Sequence, residues 1–524
     1  MTTSSFNAST ALILSRARWL IFFILASGVW GADSPLPETF QVQSFIIEGD
    51  NPLSAKVSDA VLEPFLGPSK GIEGLQTAAK ALEAKLQATG YGLYTVVLPP
   101  QELNGGVHLK VVPRPVAVVS VVSSDPVKDA EVRRALPALR EGETPNIHGL
   151  ARSLELANEN SARQMTVSFS QSAIPGSVDA KIDVQKRSPW SASMRLDNSG
   201  NEQPAKSRLS TALSCANFLG YDQSVTVSYI TSPEAWSDVK QYGGFYKLPI
   251  YPLAGSFSGY WFHSSVNSGT VADLFNISGS GRFYGVSYTQ HLLAIKDWQP
   301  TLEAGIDDKV FGDDSTFFGR RFGGDVRSRP LTLAFAARKL SSLHNAGFSL
   351  SYSHNLDTGE NNSTEAYAGT RLGAKRDWSA WRASADFSWQ FQSRFILAAR
   401  TTAQWSTQPL IGGEQFGFGG QDSVRALETR QVLGDSGAQA SVELWLPSWR
   451  KFALLGFLDG GSVSRQKPAP GTKSTEDALA VGLGLRGQVS SHASISIDYG
   501  HLLDGVSGVP RGTHRLYAAL GVQF

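Results

Sequence analysis

Residues 514–524, HRLYAALGVQF, put Leu516, Ala518, Leu520, Val522 and Phe524 on one parity and Arg515, Tyr517, Ala519, Gly521 and Gln523 on the other. A period of two marks a strand. The apolar parity suits lipid, and the small or polar parity suits a wet interior. An aromatic beside a free carboxylate is a poor end for a soluble edge strand. The expectation is a transmembrane β-barrel closed by this strand, with Phe524 as its assembly signal.

The same grammar runs back through most of the chain. Residues 478–489, ALAVGLGLRGQV, place Leu479, Val481, Leu483, Leu485 and Val489 on one parity and Ala480, Gly482, Gly484, Arg486 and Gln488 on the other. Residues 225–229, 440–446 and 494–499 repeat the theme. Residues 189–524 therefore read as an antiparallel barrel. At roughly 20 residues per strand and turn they make about 16 strands, enough to enclose an aqueous channel.

Composition agrees. The chain of 524 residues is 41% hydrophobic with 51 glycines, neither disordered nor rich enough in long apolar runs for a helical membrane protein. Any crossing must use strands. Forty-seven basic against 46 acidic residues leave a net charge of +1, which gives no electrostatic reason to bind nucleic acid. Cys215 is the only cysteine, so disulfides, thiolate metal clusters and redox pairs are excluded.

The amino terminus carries Arg16 and Arg18, the apolar run WLIFFILA at 19–26, and small residues at 27–28 and 31–32. This is the pattern of a secretory signal peptide, assigned to residues 1–32. Between it and the barrel the period changes. A strand at 40–47, helices at 53–66 and 72–89, and strands at 94–98 and 107–112 make one β-α-α-β-β unit over 40–113. Strands and helices return in the same order over 114–187, as a strand at 116–122, helices at 127–139 and 147–161, and strands at 165–170 and 177–184. Helices on one face leave the second strand of each sheet as an open edge, where an extended peptide can pair. The candidate pairing edges are Tyr94, Val96 and Leu98 in the first unit and Met165, Val167 and Phe169 in the second.

Sites of other kinds are not expected. Residues 482–487, GLGLRG, match GxGxxG but lie inside a strand and open no helix, so lumen-facing small residues explain them better than a dinucleotide. Residues 434–437, GDSG, read as a hairpin turn rather than as a nucleophile loop, because no base and carboxylate accompany them. His492 and His501 lack metal-ligand spacing. No catalytic, metal or cofactor residue is assigned.

Residues 411–427, IGGEQFGFGGQDSVRAL, form a glycine-rich loop leading to Arg425, and residues 457–461, FLDGG, set Phe457, Asp459 and Gly461 on one strand face. With the signal peptide and the paired β-α-α-β-β units, this motif pair resembles the two-partner secretion transporters of the haemolysin secretion/activation family. These are members of the barrel-assembly-factor superfamily whose periplasmic modules are POTRA domains. The resemblance implies two POTRA modules, 40–113 and 114–187, followed by an outer-membrane barrel that exports an unfolded exoprotein of adhesin or cytolysin class. It also implies insertion by the barrel-assembly machinery, outer-membrane lipid around the barrel, and no nucleic acid or cofactor.

In that family a VRG-aromatic motif tips a hairpin folded into the lumen and meets an F-x-D-x-G motif on the wall. Here Val424 and Arg425 match, Ala426 and Leu427 replace the glycine and aromatic, and Phe457, Asp459 and Gly461 match in full. The implied function is a latch, with Arg425 oriented by Asp459 in a bidentate geometry that lysine cannot copy. The span between residues 32 and 40 is too short for a plug helix and its linker, so no amino-terminal plug is expected. A barrel-assembly or insertion factor is the alternative reading. A passive porin would not need the periplasmic units, and an enzyme would need a reactive constellation that is missing.

Overall fold

A computed structural model describes residues 40–524 apart from 70, 103, 124–125, 127, 203, 267–268, 272–274, 278, 313–315, 318–319 and 322–323. The expected signal peptide and the segment judged too short for a plug lie outside the described residues.

Two compact units emerge, one for most of the amino-terminal third and one for the barrel. The first begins with β1 (Phe40–Val42), β2 (Ser44–Gly49), α1 (Ala55–Leu62), β3 (Gly67–Ser69), α2 (Gly71–Ala88), β4 (Tyr94–Val97) and β5 (Gly106–Pro113). Pro64 ends α1 early and turns the rest of the expected helix into a 3₁₀ turn at Glu63–Phe65. On α2, Leu75, Ala79, Leu82 and Leu86 form the buried stripe, and Leu82 and Leu86 pack with Leu109 and Val111 of β5. The second sheet follows as β6 (Val116–Ser123), α3 (Asp129–Ala135), α4 (Ile147–Asn158), β7 (Arg163–Gln171) and β8 (Val178–Lys186). Here α3 is shorter than expected, because Pro126 precedes it and Pro137 follows its C-cap Leu136.

The sheet orders are β2-β5-β4 and β6-β8-β7, so the last strand is central in both, parallel to the first and antiparallel to the second. The two sheets are joined by main chain and side chain together. Ile147 donates its N–H to Gly90 O at 2.7 Å, and Asn146 Nδ2 donates to Thr89 O at 3.0 Å while Asn146 Oδ1 caps α4 at Gly149 N–H. Gly90 is left-handed (φ +93°), and a Cβ there would lie 2.4 Å from Asn146 Oδ1. Only glycine fits that junction.

The remainder is one closed antiparallel barrel. Val326–Ser328 and Pro330–Lys339 both pair with Trp298–Phe311 and form one interrupted strand, which makes the total sixteen. Alternation decides the two faces: Leu516 and Leu520 point outward while Tyr517 and Ala519 are buried inside. The ring closes where His514–Gln523 meets Trp190–Asp197, in register from Ala519↔Asp197 to Gln523↔Ser193. Phe524 and Ala192 then exchange both main-chain hydrogen bonds, at 2.9 and 3.1 Å. At the other end of the seam, Asn198 Oδ1 accepts from Ala518 N–H and Asn198 Nδ2 donates to Leu516 O, both at 2.8 Å. The Phe524 ring stacks on His492.

Strands alternate in direction from Trp190 onward, so the odd-to-even connections lie together at one end of the barrel. Two of them pack against each other and against the inner wall. Tyr367 and Trp378, from the loop 356–378 and its short helix Thr364–Thr370, pack with Leu410 and Ile411 against the wall rings Phe262, Phe283 and Phe311.

Candidate functional site in the barrel lumen

The loop 406–435 connects Ile396–Trp405 to Ser436–Trp445 and turns back into the barrel. Two buried carboxylates fix its base. Glu414 accepts from Lys309 Nζ at 3.3 Å, Arg382 Nη2 at 3.1 Å and Ser328 Oγ at 3.1 Å, all wall residues. Asp435 accepts from the N–H groups of Leu410 and Gln466, each at 2.8 Å, and from both terminal nitrogens of Arg371. The expectation that 434–437 is a hairpin turn is therefore wrong. Asp435 is 0% exposed and anchors the loop, because its carboxylate gathers donors from three separate connections.

Between these anchors the chain forms a small hairpin, Phe416–Phe418 with Val432–Gly434. Gly419 (φ +111°) lets the backbone turn, and a Cβ there would meet Glu428 O at 2.3 Å. Val424, Arg425, Ala426 and Leu427 lie at the tip and are all buried. Gly420 N–H to Leu427 O (3.2 Å) and Leu427 N–H to Val424 O (3.1 Å) shape the turn. Ala426 is absent from the left-handed residues, so this tip does not need the family's glycine. Leu427 joins Phe418, Val424 and Leu502 in the apolar cluster, taking up packing where the family has an aromatic.

Arg425 is met from the wall on several sides. Its Nε and Nη2 donate to Asp459 Oδ2 and Oδ1 at 2.8 and 2.7 Å, a bidentate pair, and its own N–H donates to Asp459 Oδ2 at 3.2 Å. Nη1 donates to Glu443 Oε1 at 2.7 Å and Nη2 to Ser441 Oγ at 3.0 Å. The guanidinium carbon lies 3.4 Å from the centre of the Phe457 ring. Asp498 stands 3.8 Å away and is itself paired with Arg486 at 2.9 Å. Charge-assisted contacts of this number hold a guanidinium in one orientation.

Glycine makes room for this contact on three wall strands. A Cβ on Gly461 would lie 2.7 Å from the Phe418 ring, on Gly482 2.2 Å from Phe457 Cζ, and on Gly500 2.4 Å from Arg425 O. Gly482 of the GxGxxG match is thus a recess for Phe457. Further holds are Tyr517 Oη to Leu427 O at 2.5 Å, Thr429 Oγ1 to Ser199 O at 2.7 Å and Arg195 Nη2 to Gln421 Oε1 at 2.9 Å.

The structure thus brings together Val424, Arg425, Phe457, Asp459 and Gly461. Ser441, Glu443 and Asp498 went unassigned from the sequence, although each sits on the lumen parity of a strand, where a charged or polar residue is a usable signal. The edge residues fall elsewhere, in the amino-terminal unit. The Tyr94, Val96 and Met165 side chains are buried in the module cores, and β4 and β7 are edge strands. Their edges are partly occupied. Tyr94 N–H bonds Tyr91 O at 3.1 Å and Val96 N–H bonds Glu83 Oε2 at 3.1 Å. Asn158 pairs with both main-chain groups of Met165, at 2.7 and 2.9 Å. Leu98 lies just past the end of β4, whereas Val167 and Phe169 continue the Met165 edge along β7.

A family model described as haemolysin secretion/activation protein ShlB/FhaC/HecB matches residues 176–487, and a POTRA domain model of ShlB type matches residues 40–113. The chain belongs to this haemolysin secretion/activation family. The outer-membrane transporter CdiB of Escherichia coli is 23% identical over 501 residues, covering 89% of this chain and 81% of its own. The CdiB transporter of Dickeya dadantii is 24% identical over 428 residues, covering 75% and 71%. Among solved structures, CdiB from E. coli superposes with a TM-score of 0.76 at 19% identity, covering 96% of this chain and 93% of that one. CdiB from Acinetobacter baumannii gives 0.73 at 16%, covering 93% and 90%. Membership in this two-partner secretion family places the barrel in the outer membrane and the POTRA region in the periplasm.

Proposed function

We propose that this chain recognises an unfolded exoprotein in the periplasm and passes it through the barrel to the cell surface or medium without nucleotide hydrolysis. The observation that carries this reading is the seated loop: Arg425, buried against Asp459, Glu443 and Ser441, ties a hairpin across the lumen of a closed sixteen-stranded barrel. Residues 1–32 direct export, 40–113 and 114–187 receive cargo, and 189–524 form the channel. An extended segment adds to the β7 edge at Val167 and Phe169, where main-chain groups give affinity without demanding one sequence. With no nucleotide motif in the chain, folding of the cargo outside supplies the direction. Phe524 addresses the chain to the barrel-assembly machinery.

The alternative, an insertion factor for other barrels, works by opening a lateral seam. The main-chain pairing through Phe524 and the clasp of Asn198 favour a closed wall and passage through the lumen. Deleting the gene in its host and comparing the proteins of medium, surface and outer membrane tests the choice. Loss of one large exoprotein with other barrels intact is expected. A general loss of outer-membrane barrels with an unchanged medium would overturn the proposal.

A further inference from the structure

The outer surface of the barrel, away from the lumen, carries a cluster that export does not use. On Trp298–Phe311 the lumen parity holds Asp307, bonded to Tyr260, and Lys309, bonded to Glu414. Asp308 and Val310 therefore face outward. Register extends this outward row at the extracellular rim: Val310 lies opposite Arg282 on one side and Arg327 on the other, and Arg282 lies opposite His263. Strand spacing sets the Cα atoms of Arg282 and Arg327 about 10 Å apart. Asp308 is 2.9 Å from Arg329 Nη2 and 3.1 Å from Arg327 Nε. Two guanidiniums thus share one carboxylate, and Arg282 adds a third to the outward row beside them, opposite Val310. Arginine on the lipid parity is tolerated near the interface and costly deeper in the bilayer, which fits the rim position.

Below this cluster runs a groove of about 640 Å³, with Asp308, Arg329 and Thr358 at its upper end. Its floor exists because two outward positions have no side chain. Gly244 sits between Val227 and Trp261, and Gly259 between Tyr246 and Val286. Tyr246, Trp261, Tyr284, Val286 and Ile306 form its apolar walls. A Cβ on Gly259 would meet nothing closer than 3.7 Å, an ordinary van der Waals contact, so packing of the barrel does not require this glycine and the notch has room for added carbon.

We propose that this groove binds a phosphorylated lipid of the outer leaflet, with an acyl chain in the glycine notch and a phosphate held by Arg282, Arg327 and Arg329. The guanidinium fork matches phosphate oxygens two at a time, and the excess of cationic over anionic groups selects an anionic headgroup. The apolar floor selects an amphiphile over a free anion.

The test uses the full chain purified in detergent and read by native mass spectrometry, with lipid A, dephosphorylated lipid A and inorganic phosphate as probes. Lipid A is expected to remain bound, with dephosphorylated lipid A held at least about tenfold more weakly. Arg282→Ala combined with Arg329→Ala should lower retention by a similar factor. Gly259→Leu, which fills the notch and leaves every charge in place, should do the same. Heat-modifiable gel mobility checks that each variant is folded. Equal retention of the two lipids by the unaltered chain, which needs no variant, would overturn the proposal. So would displacement of lipid A by millimolar inorganic phosphate, or unchanged retention in the folded Gly259→Leu variant.

Discussion

Replacing Arg425 with alanine strips Asp459, Glu443 and Ser441 of a donor that makes five hydrogen bonds, four of them from the guanidinium. Arg425 and Asp459 are both 0% exposed, so bulk water does not stand in for the lost partner. Removing one member of a buried pair costs about 3–5 kcal/mol, and the lost stacking on Phe457 adds roughly 0.5–2 kcal/mol. The lumen is wetter than a protein core, so the lower end of the first range applies. At 3 kcal/mol the equilibrium between seated and unseated loop shifts by roughly 150-fold. Arg425→Lys keeps the charge but not the fork, and should recover only part of this. The assay pairs hydrogen–deuterium exchange over 416–434 in the purified full chain with cargo appearing in the medium. Faster exchange of the tip amides, reduced secretion and unchanged heat-modifiable mobility of the barrel are expected. Normal secretion with tip amides as protected as in the parent would refute the latch.

Four further outcomes follow from the geometry. Gly500→Ala leaves Arg425 intact but pushes a Cβ to 2.4 Å from its carbonyl oxygen; overpacking of this kind costs about 1–3 kcal/mol, so tip exchange should rise as in Arg425→Ala. Asp435→Ala removes the acceptor for Leu410, Gln466 and Arg371, and a drop of several degrees in the barrel's unfolding temperature on semi-native gels checks it. Gly90→Ala forces a left-handed position and displaces Asn146, at about 1–3 kcal/mol; limited proteolysis should then cut faster near residues 89–91. Val167→Pro deletes an edge N–H from β7, where proline is sterically allowed, and should weaken capture of unfolded cargo by the immobilised chain, whereas unchanged capture would place the docking edge elsewhere.

The barrel was legible because its signal is local: Leu516, Leu520 and Tyr517 announce their faces by parity alone, and lipid on one side makes the announcement loud. Helix ends were less so, and Pro64 and Pro137 explain most of the shortening. The Arg425–Asp459 pair was reached through a resemblance, since 34 residues separate its members and no periodicity links them. Glu443 and Asp498 show the limit from the other side. Each was visible as a carboxylate on a lumen-facing parity, yet nothing in a strand's own pattern says which loop it will receive. Asp435 was misread for the same reason, because GDSG has the composition of a turn and its donors come from residues 371, 410 and 466.

The seat for the loop tip has a consequence for how the molecule is made. Ser441, Glu443, Asp459, Gly482, Gly500 and Tyr517, which cradle residues 424–427, all lie within the last hundred residues, on strands that follow the loop in the sequence. From the hairpin itself Gln421 and Thr429 reach back, to Arg195 and Ser199 near the first strand, and the base of the loop reaches back through Glu414 to Lys309, Ser328 and Arg382. The carboxyl-terminal five strands can therefore gather around the hairpin as a nearly self-sufficient open sheet, through contacts of modest sequence separation, which form early. The longest-range strand pairing, His514–Gln523 with Trp190–Asp197, can come last. In that order the ring closes around a hairpin already in place, and no loop has to be threaded into a finished cylinder.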